Sequence, residues 1–485
     1  MSSPPLSPRP ARPQPVRTRA LRERAARAVR STTPPVWAVG LGSNGESVDR
    51  LHARAVVDLA LRVGELLLST GASASDVVAT VLRLTSAYDL QAVHVDITYT
   101  SVAVSWHGGG GTDPLTVLRT VKVRSADFTR LENIQRLVRE VVAGGVPVRQ
   151  ARERLDAVAS APHPYRRWVV TLSLALLGAA VAALIGGSVW VMALSAATTA
   201  LVDRVQRRLA HLGLPALFTQ AVGAGIPTLV AVVLVSLVAD RSSLLQVFAP
   251  SLVVGSGIVV LLAGLSVVGA AQDAIDGYYV TAGARVFEVL MLTLGIVLGV
   301  VGVLALAQQL GAPMRISAPS TLTADTGVQL AAAMAVAGVF AVSSYAGGRA
   351  VVVSTVTAGL GWVVYLAASG LGAGAPLAGG AAAAVIGGLS QLVAGRLRVP
   401  SLAVTTTGIV PLLPGLTVYR GLFELVHGGN VGMDTAIATL LQAAGIGMGL
   451  AAGVSLGTFV ARPMVTELDR WQRRALRRSA GDARE

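Results

Sequence analysis

The stretch Ile258-Val259-Val260-Leu261-Leu262-Ala263-Gly264-Leu265 returns 151 residues later (409 minus 258) as Ile409-Val410-Pro411-Leu412-Leu413-Pro414-Gly415-Leu416. The correspondence continues without a gap, so that Asp273 aligns with Glu424 and Gly277 with Gly428. A chance match between Gly-, Leu- and Val-rich helices is the alternative, and the aligned acid and glycine beyond the apolar run argue against it. A duplicated hydrophobic unit of this size is typical of secondary transporters built from two halves.

The composition is that of a membrane protein. Of 485 residues, 53% are hydrophobic and 14% are charged, whereas soluble domains average about 25% charged residues. The net charge of +14 comes mainly from arginines in the tails and short loops. Membrane topology explains these arginines more simply than nucleic-acid binding does. The chain has no cysteine, hence no disulfide and no thiolate metal site, and we expect neither a metal nor a cofactor.

Ten segments are apolar enough to span a bilayer, which takes about 20 residues. Arginines concentrate in alternate connections and at both flanks, which predicts that both termini are cytoplasmic. Each half then holds five spans, and an odd number per repeat gives the halves opposite orientations. We therefore predict a polytopic α-helical membrane protein with about ten transmembrane helices in two inverted five-helix repeats. The predicted spans are 168–186, 188–203, 214–238, 247–270, 281–306, 327–345, 350–369, 376–395, 401–419 and 434–460.

A soluble α/β domain is predicted ahead of the membrane part. Residues 93–99 alternate with period two, as a half-buried strand does. Two further strands are expected at 101–106 and 118–123, and helices surround them. The predicted regions are a Pro/Arg-rich disordered tail (1–45), a cytoplasmic α/β domain (46–163), membrane repeat 1 (164–310), membrane repeat 2 (311–461) and a basic cytoplasmic tail (462–485). In the first tail, a short basic helix around residues 18–30 is an alternative to a solvated chain.

A broken helix is predicted in the second copy of the repeat. Proline removes a backbone donor and clashes with the preceding turn, and two prolines stand within one apolar segment. Freed backbone groups in lipid must be satisfied by protein or water, so the break is expected to line a cavity. There the hydroxyls and backbone groups would bind a zwitterion; in the alternative, the hydroxyls only bond back to their own helices. The candidate substrate-binding residues are Ser256, Thr405, Thr406, Thr407, Pro411, Pro414 and Gly415.

Four acidic residues are candidates for coupling or gating. Ionisable groups within spans are expensive and usually functional, and Glu288 and Asp203 lie within or at the end of predicted spans. A carboxylate there would carry a coupling proton; in the alternative, both acids lie at the membrane interface and pair with Arg204 or Arg285. Asp273 and its repeat counterpart Glu424 are either pseudo-symmetric gate elements or solvated loop acids.

The soluble domain offers weak catalytic candidates. His94 and Asp96 share one strand face with Thr98, and a His, an Asp and a hydroxyl are the parts of a nucleophile relay. Neighbouring strand positions are a poor source for such a relay, which normally gathers distant elements.

These residues together resemble the bacterial threonine/serine exporter family. The resemblance rests on residues 66–77 (LLLSTGASASDV), on Val95-Asp96-Ile97-Thr98 and on the two-proline run at 409–415. It implies export of L-threonine and L-serine through the bacterial cytoplasmic (inner) membrane, driven by the membrane potential or the proton gradient. It also implies a distantly hydrolase-like N-terminal domain, which adds Asp76 to His94 and Asp96. This sequence has Ala263 where the second repeat has Pro414, so the two breaks are not expected to be equivalent.

Two alternative functions stay open. One is export of another small metabolite such as a dicarboxylate; the other is a membrane-anchored hydrolase, for which one helix would suffice instead of ten. An anion site would need an arginine facing inward from a span. Arg285 and Arg420 are assigned to loops, and this favours a zwitterionic substrate. The expected partners are the amino acid, protons and the lipid bilayer; no nucleic acid is expected, and a homo-oligomer is compatible with the sequence.

Overall fold

A computed structural model describes residues 50–108, 114–121, 126–238, 250–261, 264–310, 325–427 and 429–482. The predicted N-terminal tail (1–45), with its alternative helix, lies outside these residues. The C-terminal region predicted as a basic tail continues the last helix as far as Asp482.

A three-stranded antiparallel sheet and four helices form the first part of the described chain. The sheet order is β1-β2-β3, with Val93 opposite Trp106 and Ser101 opposite Thr120. The third strand starts at Leu115, three residues before its predicted start. Helices α1 and α2 cover one face of the sheet. The elements are α1 (Arg50–Ser69), α2 (Ala74–Ala87), β1 (Val93–Thr98), β2 (Ser101–Trp106), β3 (Leu115–Thr120), α3 (Phe128–Val142) and α4 (Val148–Ser160).

Local sequence signals fix the turn between α1 and α2. Gly71 has a φ of +95°, a left-handed conformation that glycine adopts without strain. Ser73 then caps α2, because its hydroxyl accepts a hydrogen bond from the backbone N–H of Asp76 at 3.2 Å. The turn therefore points the N-terminus of α2 in a defined direction, and that direction matters for the site.

The described membrane part consists of eight long helices and four short ones. The helices are α5 (Arg167–Leu184), α6 (Val189–His211), α7 (Ala216–Val238), α8 (Pro250–Leu261), α9 (Gly264–Ile275), α10 (Tyr279–Gln309), α11 (Thr326–Ser343), α12 (Gly348–Gly370), α13 (Ala375–Leu397), α14 (Ser401–Ile409), α15 (Gly415–His427) and α16 (Gly429–Asp482). A 3₁₀ turn, Val410–Leu412, follows α14. The predicted helix break at the two prolines is confirmed, since α14 ends at Ile409 and α15 begins only at Gly415.

Seven described helices are long and apolar enough to cross a membrane: α5, α7, α10, α11, α12, α13 and α16. Helices α8 and α9, which meet at 43°, would make an eighth span if counted together. Two predicted spans do not qualify. The C-terminal third of α6 carries Asp203, Arg204, Arg207 and Arg208, and the 401–419 segment is divided into short helices. The protein is thus a polytopic helical membrane protein, and the count of ten stays a prediction.

Small residues bring helices together in the same way in both halves. In the first half, a methyl group at Gly299 of α10 would overlap the carbonyl of Ala221 on α7. In the second half, a methyl group at Gly453 of α16 would overlap the carbonyl of Gly380 on α13. Without a hydrophobic driving force in lipid, such close backbone contact is what holds transmembrane helices together.

The sheet domain is packed against the membrane helices. Its core continues into Ala341 of α11, Ala350 of α12 and Val404 of α14. The backbone N–H groups of Phe128 and Thr129, at the start of α3, donate to the carbonyls of Ser344 and Tyr345. This contact places the α1–α2 turn beside the helices that line the candidate site.

Candidate functional site

Two cavities lie on either side of the broken helix. The first, of about 770 Å³, is lined by the α1–α2 turn, α9, the start of α10, α14 and α16. The second, of about 410 Å³, is lined by α5, α10, α12 and the segment from Val410 to Val418. The break predicted from the prolines therefore lines a cavity on each of its two sides.

Three helices share the wall between the two cavities. Ser266 lines the first cavity and its neighbour Val267 lines the second. On α10, Glu288 lines the first cavity and Val289 the second, and the same holds for Ile409 and Val410 where α14 ends. Because neighbouring residues of a helix point to different faces, α9, α10 and α14 each contribute one face to either cavity.

The three threonines of α14 have different surroundings. The Thr405 hydroxyl donates to Ser390 Oγ at 2.6 Å, and the Thr407 hydroxyl donates to the carbonyl of Ala403 at 2.7 Å. Thr406 lines the first cavity, and its hydroxyl bonds to none of the described residues. Thr407 therefore follows the back-bonding alternative, whereas Thr406 presents a hydroxyl to the cavity.

The other predicted binding residues are divided between two places. Pro411, Pro414 and Gly415 all line the second cavity. Ser256 lies in neither of the two cavities, since its fully buried hydroxyl is 2.7 Å from that of Ser195 on α6. The structure thus brings five of the seven candidates to a cavity, whereas Thr407 and its first-repeat counterpart Ser256 line neither of the two.

Glu288 is the predicted coupling acid that reaches a cavity. It is half-buried, lines the first cavity and forms no hydrogen bond or ion pair with any described residue. The alternative of a pair with Arg285 is not realised, because Arg285 Nε lies 3.1 Å from Asp273 Oδ2. A carboxylate without a fixed partner in a cavity wall is available to a solute in that cavity.

Asp273 is a buried anchor rather than a solvated loop acid. Its side chain is fully buried, and Arg285 is 8% exposed. The second carboxylate oxygen, Oδ1, accepts a hydrogen bond from the N–H of Ala74 at the N-terminus of α2, where the helix dipole favours a negative charge. Ser75 donates to Asp276 at 2.6 Å. The α1–α2 turn of the sheet domain is therefore joined to α9 beside the first cavity.

Carboxylates cluster at the junction of α9 and α10. Burial raises the pKa of the Tyr278 hydroxyl, which lies between these helices. Nearby carboxylates raise that pKa further: Asp276, Asp273 and Asp96. The edge strand β1 is thus close to this junction, and the Thr281 hydroxyl contacts the carbonyl of Ile97 at 3.4 Å.

The two remaining acids lie outside the cavity linings. Asp203 forms an ion pair with Arg207 one turn along α6, and both bond to the Thr171 hydroxyl. This is the interfacial alternative, with Arg207 as partner. Glu424 accepts a hydrogen bond from the Thr439 hydroxyl at 2.9 Å, so it ties α15 to α16.

The three catalytic candidates of the sheet domain do not share a site. Asp76 lines the first cavity, whereas His94 and Asp96 are exposed on β1 and line neither of the two cavities. Among the described residues there is also no group of three or more His, Asp and Glu side chains placed to hold a metal ion.

Sequence reasoning missed the arginines of the cavities. Arg285, assigned to a loop, lies two turns inside α10, is buried and lines the first cavity. Arg420, also assigned to a loop, lies within α15 and lines the second cavity. The expectation that no arginine faces inward is therefore wrong. In the folded chain Gly269, the repeat counterpart of Arg420, leaves room for Arg285, since a methyl group there would overlap the Arg285 guanidinium.

The fold and the two cavities define a multi-pass membrane protein with solute-sized cavities on either side of a broken helix. A family model described as "Putative threonine/serine exporter" matches residues 58–307, and a second, "Threonine/Serine exporter, ThrE", matches residues 329–460. The chain is 38% identical to the "Probable threonine/serine exporter" of Mycobacterium tuberculosis over 90% of this chain and 82% of the relative. It is 37% identical to the "Threonine/serine exporter" of Corynebacterium glutamicum over 85% of this chain and 84% of the relative.

The chain belongs to the threonine/serine exporter family. The family names indicate a transporter rather than an enzyme, and they give no support to a hydrolase activity of the sheet domain. No solved structure matches this chain significantly.

Proposed function

We propose that this protein exports L-threonine and L-serine across the bacterial inner membrane by alternating access between its two cavities. The observation that carries the proposal is the wall that the two cavities share at the broken helix, where adjacent residues of three helices line different cavities. The names of the two relatives, both threonine/serine exporters, supply the substrates.

Ten membrane crossings, in two inverted five-helix repeats with both termini cytoplasmic, form the topology of this proposal. Equivalent helices of the two halves make equivalent contacts: α5 with α6 and α11 with α12, α7 with α10 and α13 with α16. The repeat counterparts Ser266 and Thr417 line different cavities, whereas Val267 and Val418, the next pair, both line the second cavity. The equivalent helix contacts are therefore the main support for an inverted duplication. The first cavity, beside the sheet domain, then faces the cytoplasm.

In the first cavity, Thr406 would bind the substrate and Glu288 would couple transport to protons. A hydroxyl at Thr406 matches the side-chain hydroxyl that threonine and serine share. Glu288 lies in the same cavity without a fixed partner, and acids within membrane spans commonly carry protons in transporters. Protonation of Glu288 would weaken its attraction for the substrate ammonium, so proton entry and substrate release are linked.

Gating would involve the anchor at Asp273. Opening the first cavity to the cytoplasm requires the α1–α2 turn to move relative to α9, and the Asp273 contacts with Arg285 and Ala74 hold that position. Glu424, its counterpart, would hold α15 against α16 at the second cavity. Asp203 is paired away from both cavities, and we assign it a structural part.

The test is efflux of labelled threonine from bacterial cells preloaded with a threonine dipeptide, with and without the protein. Faster efflux that collapses with an uncoupler is the expected result. Unchanged efflux with the protein present in the membrane would contradict threonine export, and accelerated efflux that resists the uncoupler would contradict proton coupling.

A dicarboxylate is the second candidate substrate, because Arg285 and Arg420 each line a cavity. The carboxylates of the first cavity argue against it: Asp76, Asp276 and Glu288 would repel a dianion at the entrance side. The same cells, loaded with labelled succinate, discriminate between the two substrates.

A further inference from the structure

Two buried hydrogen-bond donors in the second cavity bond to no described residue. They are the guanidinium of Arg420, through Nε and Nη2, and the indole Nε1 of Trp362. Trp362 is 3% exposed, and both residues line the cavity. Leaving a buried donor unpaired costs about 1–3 kcal/mol, and more for a charged group. Both side chains border the same cavity, so a small rotation of either would bring its donors to an acceptor bound there.

Arg420 has no carboxylate within ion-pair distance among the described residues, unlike Arg285 in the other cavity. Glu424, one turn further along α15, is near enough to attract the Arg420 charge but accepts its hydrogen bond from Thr439. The rest of the lining is mainly Val, Leu, Ile and Pro, and its polar members are Thr293, Tyr365, Thr417 and Gln442. In this apolar setting the positive charge attracts an anion more strongly than it would in water.

We propose that Arg420 and Trp362 form a carboxylate-binding subsite in the second cavity. Resting on the function proposed above, the subsite takes the α-carboxylate of the exported amino acid. A guanidinium offers two parallel N–H donors that match the two carboxylate oxygens, and the indole N–H supplies a third donor. The ring of Trp362, whose centroid lies 5.2 Å from that of Tyr365, closes the cavity beside this group.

With this subsite, each cavity binds different chemical groups of the substrate. In the first cavity Asp273 already neutralises Arg285, and the groups without a partner among the described residues include the Glu288 carboxylate and the Thr406 hydroxyl. These groups suit the ammonium and the hydroxyl of the substrate. In the second cavity the unpaired Arg420 suits the carboxylate. A single arginine matches one carboxylate, so a second carboxylate on the ligand would lack a cationic partner among the described lining residues.

The experiment is counterflow of labelled L-threonine in proteoliposomes of the full chain, with unlabelled L-threonine or L-threoninol as competitor. Threoninol lacks the carboxylate. For the unsubstituted protein we expect threoninol to compete at least about 10-fold more weakly than unlabelled threonine, because the loss of one charge-assisted ion pair weakens binding by about that factor. Arg420→Gln should raise the apparent KM for threonine by about 10-fold and shrink this discrimination to within about 3-fold. Trp362→Phe, which keeps the ring and removes the donor, should raise the KM by about 3- to 10-fold.

The control is Arg396→Gln, since Arg396 is exposed at the end of α13 and lines neither cavity; its KM and discrimination should stay unchanged. Arg420→Gln with an unchanged KM and unchanged discrimination overturns the subsite. If Arg420→Gln does not fold, Arg420→Lys and Trp362→Phe decide in its place, and unchanged values in both overturn it equally. Absence of threonine counterflow in the unsubstituted protein would instead refute the proposed function.

Discussion

Thr406 differs from its two neighbours because its hydroxyl has no partner among the described residues. Replacing it with valine keeps the branched shape and removes the hydroxyl. The loss of one hydrogen bond to substrate is worth about 1 kcal/mol, so Thr406→Val should raise the apparent KM for threonine by about 3- to 10-fold. Efflux kinetics from preloaded cells measure this value.

Thr407→Val is the matched control, because the Thr407 hydroxyl is bonded to its own helix at Ala403. Its KM should stay within about 2-fold of the unsubstituted value, since only an intrahelical bond is lost. An unchanged KM in Thr406→Val would place the substrate hydroxyl elsewhere.

Glu288 should be required for coupling, because a neutral side chain at this position can no longer gain and lose a proton. Glu288→Gln, which has nearly the same shape, should abolish uncoupler-sensitive efflux at normal expression. Asp276→Asn is the control: it removes one negative charge from the same cavity, at a side chain already bonded to Ser75. Full, uncoupler-sensitive activity in Glu288→Gln would remove Glu288 from the mechanism.

Sequence alone located these acids but not their partners. The position of Glu288 within an apolar segment was enough to predict a functional candidate, since charges in spans are costly. The Asp273–Arg285 pair was not predictable, because it joins two helices across a connection whose path only the folded chain defines. For the same reason Arg285 was assigned to a loop.

At the scale of helices, the glycines of α10 and α16 determine how closely α7 and α13 approach. Gly299→Ala should push α10 away from α7 and lower the midpoint of thermal unfolding in detergent, because overpacking costs about 1–3 kcal/mol. Gly453→Ala should act in the same way at the α13–α16 contact.

Gly302→Ala is the control on the same helix, since a methyl group there meets nothing within 4 Å. In α10 it should be neutral or slightly stabilising, as alanine is about 1 kcal/mol more favourable than glycine within a helix. Equal unfolding midpoints for Gly299→Ala and Gly302→Ala would contradict the close contact of α7 with α10.

The broken helix was predictable because its cause is local. Two prolines within a few residues prevent a continuous helix whatever surrounds them. In the first repeat α8 ends at Leu261 and α9 begins at Gly264, and residues 262–263 between them lie outside the described part of the chain. This segment has no proline, so it was not expected to match the second break. The charged residues near the end of α6 also shorten its apolar part. The number of membrane spans therefore depends on whether α6 and the short helices cross the bilayer.

At the scale of the whole molecule, the order of the regions could be predicted from composition, whereas the packing of the sheet domain on the membrane helices could not. The surface of the sheet domain that packs on α11, α12 and α14 is made of ordinary aliphatic side chains, which look the same as core residues in the sequence. This packing places the α1–α2 turn, with the serines at 69, 73 and 75, beside the first cavity.

The inverted arrangement makes a prediction about accessibility, and the absence of cysteine from the chain allows a direct test. Ser266 and Thr417 occupy equivalent repeat positions yet line opposite cavities. A membrane-impermeant thiol reagent should therefore label Thr417→Cys in intact cells, because the second cavity faces outward in the proposed topology, and label Ser266→Cys only in inside-out vesicles. Excess threonine should slow both reactions, since one solute occupies either cavity in turn. Labelling of both cysteines from the same side would contradict the inverted repeat, because only opposite orientations of the two halves separate equivalent positions across the membrane.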